Sequence, residues 1–284
     1  MKNKGMIMII LSAFCFACMS MFVKLSGDLP SIQKSFFRNI VAVVVAFVIL
    51  KRSGVGFKIE KKNILWLLAR ATCGTIGLLA NFYAVDHLLL SDASIIQKLS
   101  PFFVIIFSYF LLKENVSKVQ IVSIVIAFIG TLFVVKPSFT NSQMFPSFIA
   151  FVGAMGAGAA YTMVRLLSQR GVKGPQIVFY FSLFSCVCVT PWILFNFHPM
   201  TLQQVLILLM AGLCAAGGQF SVTAAYSFSA GRDISIYDYS QVIFSAVLGY
   251  FVFDQLPDVY SFIGYFIIFS VTYGMYLRNK KAST

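Results

Sequence analysis

Five charged side chains fall inside long apolar stretches of the chain away from their outer ends: Arg38, Arg70, Lys98, Arg165 and Asp238. A charge held at mid-bilayer costs roughly 2.5–3.5 kcal/mol on insertion scales, so such groups face a wet cavity or one another. Arg165 sits near the end of its stretch, where a long side chain can carry its charge back to water. The remaining balance is three cations, Arg38, Arg70 and Lys98, against Asp238. That excess fits non-covalent binding of a solute with an anionic group.

Polar neighbours sharpen the reading. Ser94, Gln97, Lys98 and Pro101 share one helical face, because positions three and four apart are neighbours on a helix. Pro101 has no N–H for the carbonyl of Gln97, which frees that carbonyl for a ligand, an ion or another helix and predicts a kink. The corresponding face further on carries Tyr237, Asp238 and Gln241, with Ser245 one turn beyond. With the two helices antiparallel and a rise of ~1.5 Å per residue, Lys98 and Asp238 sit on opposite sides of the midplane and within reach of each other. Two readings of such a pair stand together: a permanent structural ion pair, or a pair that substrate or a proton breaks as the halves move. Asn81, Tyr161, Tyr180, Gln219 and Thr223 are further hydrogen-bonding groups in facing stretches.

Covalent chemistry is not expected. The histidines, His87 and His198, fall near loops, no H-E-x-x-H occurs, and no Ser, His and acid set shares one depth. Cys15 and Cys18 have C-x-x-C spacing but no matching pair or nearby His, so they read as packing residues rather than metal ligands. No enzyme activity, metal or cofactor is implied.

The elements that position these groups are apolar helices. A chain of 284 residues with 59% hydrophobic and 11% charged residues, at mean hydropathy +0.88, carries more apolar surface than a water-soluble core can hide. Stretches of roughly 17–25 apolar residues match the hydrocarbon thickness of a bilayer. Ten can be read: Gly5 to Leu25, Ile32 to Leu50, Ile64 to Val85, Ser91 to Leu112, Val119 to Val135, Ser147 to Leu167, Pro175 to Phe195, Leu202 to Ala225, Ile234 to Phe253 and Val259 to Leu277. The expected class is an all-α integral membrane protein with ten transmembrane helices. Lys2 and Lys4 precede a long run with no convincing small-residue cleavage site, so that run is read as a retained first span.

The net charge of +13 could point to a nucleic-acid partner, but its distribution points to topology. With the amino terminus inside, fifteen basic residues lie in cytoplasmic segments, while Lys24, Lys34 and Lys136 lie outside. This is the positive-inside pattern: a multi-pass protein of the bacterial cytoplasmic membrane with both termini cytoplasmic, and no nucleic-acid partner.

Sliding the chain by 140 residues aligns Ser91 to Glu114 with Gly231 to Asp254 in pattern, and a polar stretch from Lys136 to Pro146 separates the copies. Residues 1–138 and 139–284 are therefore read as two five-helix repeats. An odd number of spans per copy inverts the second in the membrane, an arrangement by which carriers build two gates around one site. Glu114 and Asp254 end equivalent helices, where an acid opposes the helix dipole. Each is expected to sit against the N–H groups of the next helix and close a hairpin. Small residues such as Gly74, Gly77, Gly153, Gly156 and Gly218 mark close helix packing.

Ten spans in two copies, the Phe37-Arg38 pair early in span two, and the stretch from Asn81-Phe82-Tyr83-Ala84 through Pro101 to Lys113-Glu114 resemble the drug/metabolite transporter superfamily, EamA type, over nearly the whole chain. The resemblance implies alternating access around a central cavity lined by both halves. Arg38, Pro101 and Glu114 match the family pattern. Asp254 replaces the second-copy Glu, and Gln241 stands where Pro is frequent, so span nine is expected to be straighter than span four. The set Arg38, Arg70 and Lys98 also resembles that of carriers of S-adenosylmethionine-like solutes.

The resulting expectation is a secondary transporter for a small polar metabolite with an anionic or zwitterionic group, such as an amino acid or derivative. The substrate-binding set is Arg38, Arg70, Asn81, Gln97, Lys98, Tyr161, Gln219, Tyr237, Asp238 and Gln241, with a coupling proton as a further partner. An exporter of aromatic or cationic compounds, relying on Asp238 and the many Phe and Tyr residues, is the first alternative. A flippase-like membrane subunit is the second. No ATP-binding motif is seen, so active transport would draw on a gradient.

Overall fold

The apolar stretches fold as helices because, without water, a backbone must satisfy its own N–H and C=O groups. The structure, a computed structural model, describes residues 2–87, 96–135, 144–254 and 258–281. Its helices are α1 (Lys2–Leu25), α2 (Ser31–Arg52), α3 (Lys61–His87), α4 (Ser100–Leu112), α5 (Lys118–Val135), α6 (Met144–Gln169), α7 (Gly174–Asn196), α8 (Leu202–Phe228), α9 (Gly231–Ile234), α10 (Ser240–Phe253) and α11 (Val259–Lys281). A 3-10 segment, Ser235–Tyr239, joins α9 to α10 and makes one span, Gly231–Phe253, of the three pieces. Among the described residues, eight spans are long and apolar enough to cross a bilayer, and two shorter apolar helices, Ser100–Leu112 and Lys118–Phe133, accompany them. This is consistent with the expected all-helical, ten-span membrane protein. Ser91, Ser94, Lys136 and the 138/139 boundary fall on 88–95 and 136–143, outside the described residues.

The two halves of the chain interlock. α1 packs along α8, α2 along α7 and α8, α3 and α4 along α6, and α5 along α11, so each main contact joins an early helix to a late one. The α3–α6 contact is made backbone to backbone. A Cβ on Gly156 would lie 2.9 Å from the carbonyl oxygen of Cys73, and one on Gly77 would lie 3.0 Å from the amide nitrogen of Ala157. The outer surface is apolar, with Leu65, Phe110, Phe251 and Phe266 exposed, as a lipid-facing surface requires.

Span four breaks where Pro101 foretold it. Residues 98 and 99 form a turn, α4 begins at Ser100, and Pro101 occupies the first turn of the new helix. Phe102 N–H then bonds Leu99 C=O at 3.0 Å instead of continuing the ladder to Lys98. Span nine overturns the expectation that it would be straighter. It tightens to 3-10 over Ser235–Tyr239, again at its charged residue, although it has no proline there. Hydroxyl groups act in place of proline: Ser235 Oγ donates to the Gly231 carbonyl, and Ser240 Oγ to the Tyr237 carbonyl at 2.7 Å. Such local side-chain bonds compete with regular helix.

Candidate functional site

The two breaks face each other across a cavity of about 180 Å³ near mid-bundle. At roughly 10–15 Å³ for each water-sized site, such a volume suits a ligand of amino-acid size or somewhat larger. It is lined by residues of α1, α2, α3, α6, α7 and α8 together with both breaks. Arg38, Arg70, Asn81, Gln97, Lys98, Tyr161, Gln219, Asp238 and Gln241 all border it.

Tyr237, also expected there, does not. It is 3% exposed and belongs to the apolar core, because the 3-10 turn rotates it away from the face that Asp238 and Gln241 present. Tyr180 is likewise remote, its hydroxyl donating to the Phe57 carbonyl at 2.6 Å, and Thr223 is buried away from the lining.

Lys98 and Asp238 meet. Lys98 Nζ lies 3.1 Å from Asp238 Oδ2 and donates to Gln241 Oε1 at 2.7 Å. The ammonium thus spends its donors on the second break, where it also approaches the Asp238 carbonyl at 3.4 Å. The link is reciprocated, since Tyr239, fully buried, donates its hydroxyl to the Lys98 carbonyl at 2.9 Å.

The arginines are held differently. Arg38 Nε donates to Met19 Sδ at 3.0 Å and Nη1 to Asn39 Oδ1 at 3.2 Å, while Asn39 is itself fixed by a 2.9 Å bond from its amide to Ser185 Oγ. Arg70 is 1% exposed, and its guanidinium lies 4.2 Å from the centre of the Phe181 ring. Neither its Nε nor its Nη1 has a hydrogen-bond partner. Gly74 makes room for this stack: a Cβ there would collide with Arg70 Nη1 and lie 2.8 Å from the Phe181 ring. Tyr161 interacts electrostatically with Arg38, Arg70 and Asp238 together, and its ring stacks on Tyr226 at 5.2 Å. Phe181 and Met19 escaped the sequence reading, which took Gly74 for a packing residue only. Gly74, one turn after Arg70, was the available signal.

Toward the end of the bundle that carries Lys51, Arg52, Lys113 and Lys118, a polar clasp joins the two halves. Arg165 Nε lies 3.8 Å from Glu114 Oε1, and Arg165 Nη1 donates to the Ser227 carbonyl at 2.9 Å. Arg232 donates to the Asn115 carbonyl, and Gln120 Nε2 to Asp233 Oδ1 at 2.8 Å. Two expectations are corrected here. Arg165 turns inward to Glu114 and Ser227 rather than snorkelling to water. Glu114 pairs with Arg165 of α6 instead of the start of α5, where Gln120 and Ser117 already bond each other. Burial pushes the Glu114 carboxyl above its ordinary value, and Arg165 and Arg232 oppose that shift. Asp254, its expected counterpart, is exposed and adopts a left-handed conformation at the end of α10.

Residues 3–136 match the EamA-like transporter family. The pseudopaline exporter CntI of Pseudomonas aeruginosa is 29% identical over 264 residues, covering 92% of both chains. An uncharacterized transporter of Helicobacter pylori is 25% identical over 272 residues, 93% of this chain and 91% of that one. Human solute carrier family 35 member G1 is 33% identical over 113 residues, 40% of this chain and 31% of its own length. A solved crystal structure has the same fold, with a TM-score of 0.85 over 99% of both chains at 13% identity.

Proposed function

We propose that this chain, an EamA-type member of the drug/metabolite transporter superfamily, is a secondary transporter for a small polar metabolite bearing an anionic or zwitterionic group. Transport is the role that the names of its relatives state. The substrate class is our reading of the cavity. The observation that carries it is the charge of the lining: Arg38, Arg70 and Lys98 against Asp238 among the described residues. A net positive cavity inside a membrane is costly, and an anionic solute offsets that cost.

Alternating access is the mechanism that this reading implies. Residues 1–138 and 139–284 act as inverted repeats whose broken spans meet at the site, and breaking contacts such as the clasp at Glu114 and Arg165 would open one side. The basic end is assigned to the cytoplasm, with both termini there, in the bacterial cytoplasmic membrane. Export is the favoured direction, by analogy with the pseudopaline exporter. A proton competing for Asp238 is the coupling route that the Lys98 pair allows.

The test is counterflow in liposomes with a labelled amino-acid derivative, comparing wild type with Lys98→Ala and Asp238→Ala. Loss of exchange in both supports the reading. Wild-type exchange in both would overturn the site. A second reading, export of aromatic or cationic compounds, is favoured by the Phe16, Phe82 and Phe181 rings in the lining. In that case Lys98→Ala would leave transport largely intact while Asp238→Ala abolished it.

A further inference from the structure

The two arginines of the cavity are not equivalent to Lys98. The ammonium of Lys98 already has a carboxylate, Asp238, 3.1 Å away. Arg38 touches neutral acceptors only, the sulfur of Met19 and the amide oxygen of Asn39. Arg70 rests on a ring face. The ring's quadrupole attracts a cation but accepts none of the N–H donors at the guanidinium edge. Nε and Nη1 of Arg70 are buried without a partner, although the residue borders the cavity. Among the described lining residues, two guanidiniums therefore stand without a carboxylate.

The two guanidiniums have different supports, both of which involve α7. Arg38 is held from α1 and, through Asn39, from Ser185 of α7, whereas Arg70 is held by Phe181 of α7 and the gap at Gly74. Each planar fork suits one carboxylate in a two-pronged contact. Tyr161 borders the same cavity, in electrostatic reach of both arginines and of Asp238.

We propose that the transported metabolite carries two carboxylates, one for Arg38 and one for Arg70, together with an ammonium directed toward Tyr161 and Asp238. This rests on the transport reading above and narrows it from any anionic or zwitterionic solute to an amino diacid.

The test is calorimetric binding to purified protein in lipid nanodiscs with four probes: L-glutamate, L-glutamine, O-phospho-L-serine and L-lysine. Glutamate and glutamine differ in the second carboxylate and little in size. The proposal expects glutamate to bind at least tenfold more tightly than glutamine in the wild type. In Arg70→Gln that ratio should fall to near one. The wild-type ratio needs no variant, so misfolding of Arg70→Gln cannot shelter the proposal. Equal binding of glutamate and glutamine would overturn the two-carboxylate assignment and leave the zwitterion reading standing. Preference for L-lysine, or no saturable binding of the anionic probes, would overturn the assignment, and lysine preference would overturn the anionic reading with it. O-phospho-L-serine bound more than tenfold more tightly than glutamate would overturn the two-carboxylate assignment in favour of one phosphate shared by both arginines.

Discussion

The hydroxyl of Tyr239 donates to the backbone carbonyl of Lys98 at 2.9 Å, joining the two broken spans at the point where each loses its helical ladder. Phe102 N–H, which would ordinarily have bonded that carbonyl, bonds Leu99 instead. Lys98 returns the link through its ammonium, which reaches Asp238 Oδ2 at 3.1 Å and Gln241 Oε1 at 2.7 Å. Each half thus completes the backbone or charge of the other, and any movement of one break against the other has to exchange these partners.

Tyr239→Phe deletes the donor and leaves a carbonyl unsatisfied inside the protein. Removing one partner of a buried hydrogen bond costs about 1–3 kcal/mol. The expected result is a melting temperature lowered by several degrees in detergent or nanodiscs, measured by intrinsic fluorescence. An unchanged melting temperature would mean that water replaces the hydroxyl.

The Lys98–Asp238 pair predicts non-additivity. Removing one member strands the other charge, a loss of about 3–5 kcal/mol for a buried pair. Lys98→Met and Asp238→Leu should each destabilise strongly, while the double variant recovers much of the lost stability without recovering transport. Thermal melts on the full cycle, with counterflow on the same samples, read both terms. Additive losses would show that the two side chains do not depend on each other.

The positions of the charges made much of this legible from sequence. Lys98, Asp238 and Pro101 lie at fixed offsets in an apolar background, and hydropathy alone delimits most spans. Lipid leaves the backbone few choices, which is why the helices follow so directly. The bends around hydroxyl groups were not legible. Nothing in the composition of Ser235 to Ser240 distinguishes hydroxyls that bond local carbonyls from hydroxyls that face a ligand, and that difference turned Tyr237 into the core. Long-range partners were hidden for the same reason. Arg165 could have reached water as readily as Glu114 until the packing of α6 against α4 brought the acid within 3.8 Å.

Gly156→Ala should destabilise the α3–α6 contact, because its Cβ would lie 2.9 Å from a backbone oxygen that has no rotamer to change. Gly274→Ala is the matched control, with nothing within 4 Å of the added carbon. The control is expected to be neutral or slightly stabilising, since alanine is the better helix former by about 0.5–1 kcal/mol. Melting temperatures of the two variants in parallel check this, and equal effects would indicate that the α3–α6 backbones separate freely.

Glu114 makes the clasp sensitive to pH, and the sign follows from its displacement. Burial is the largest cause and raises the carboxyl above its ordinary value near 4.5, with Arg165 and Arg232 only partly offsetting it. An acid whose folded-state value is raised binds more protons folded than unfolded across the interval between the two values. Stability attributable to it therefore rises as pH falls through that interval and levels off below the ordinary value. The wild type should gain stability relative to Glu114→Gln as pH is lowered from neutral toward 4.5, and the difference between the two proteins should flatten at more acid pH. Melting curves of both across this range are the measurement. A difference that moves the other way would mean that Arg165 outweighs burial and holds the carboxylate charged. Protonation also removes the charge that Arg165 faces, so accessibility of the basic end to a thiol reagent, read at Asn115→Cys, should increase over the same interval in the wild type and stay flat in Glu114→Gln.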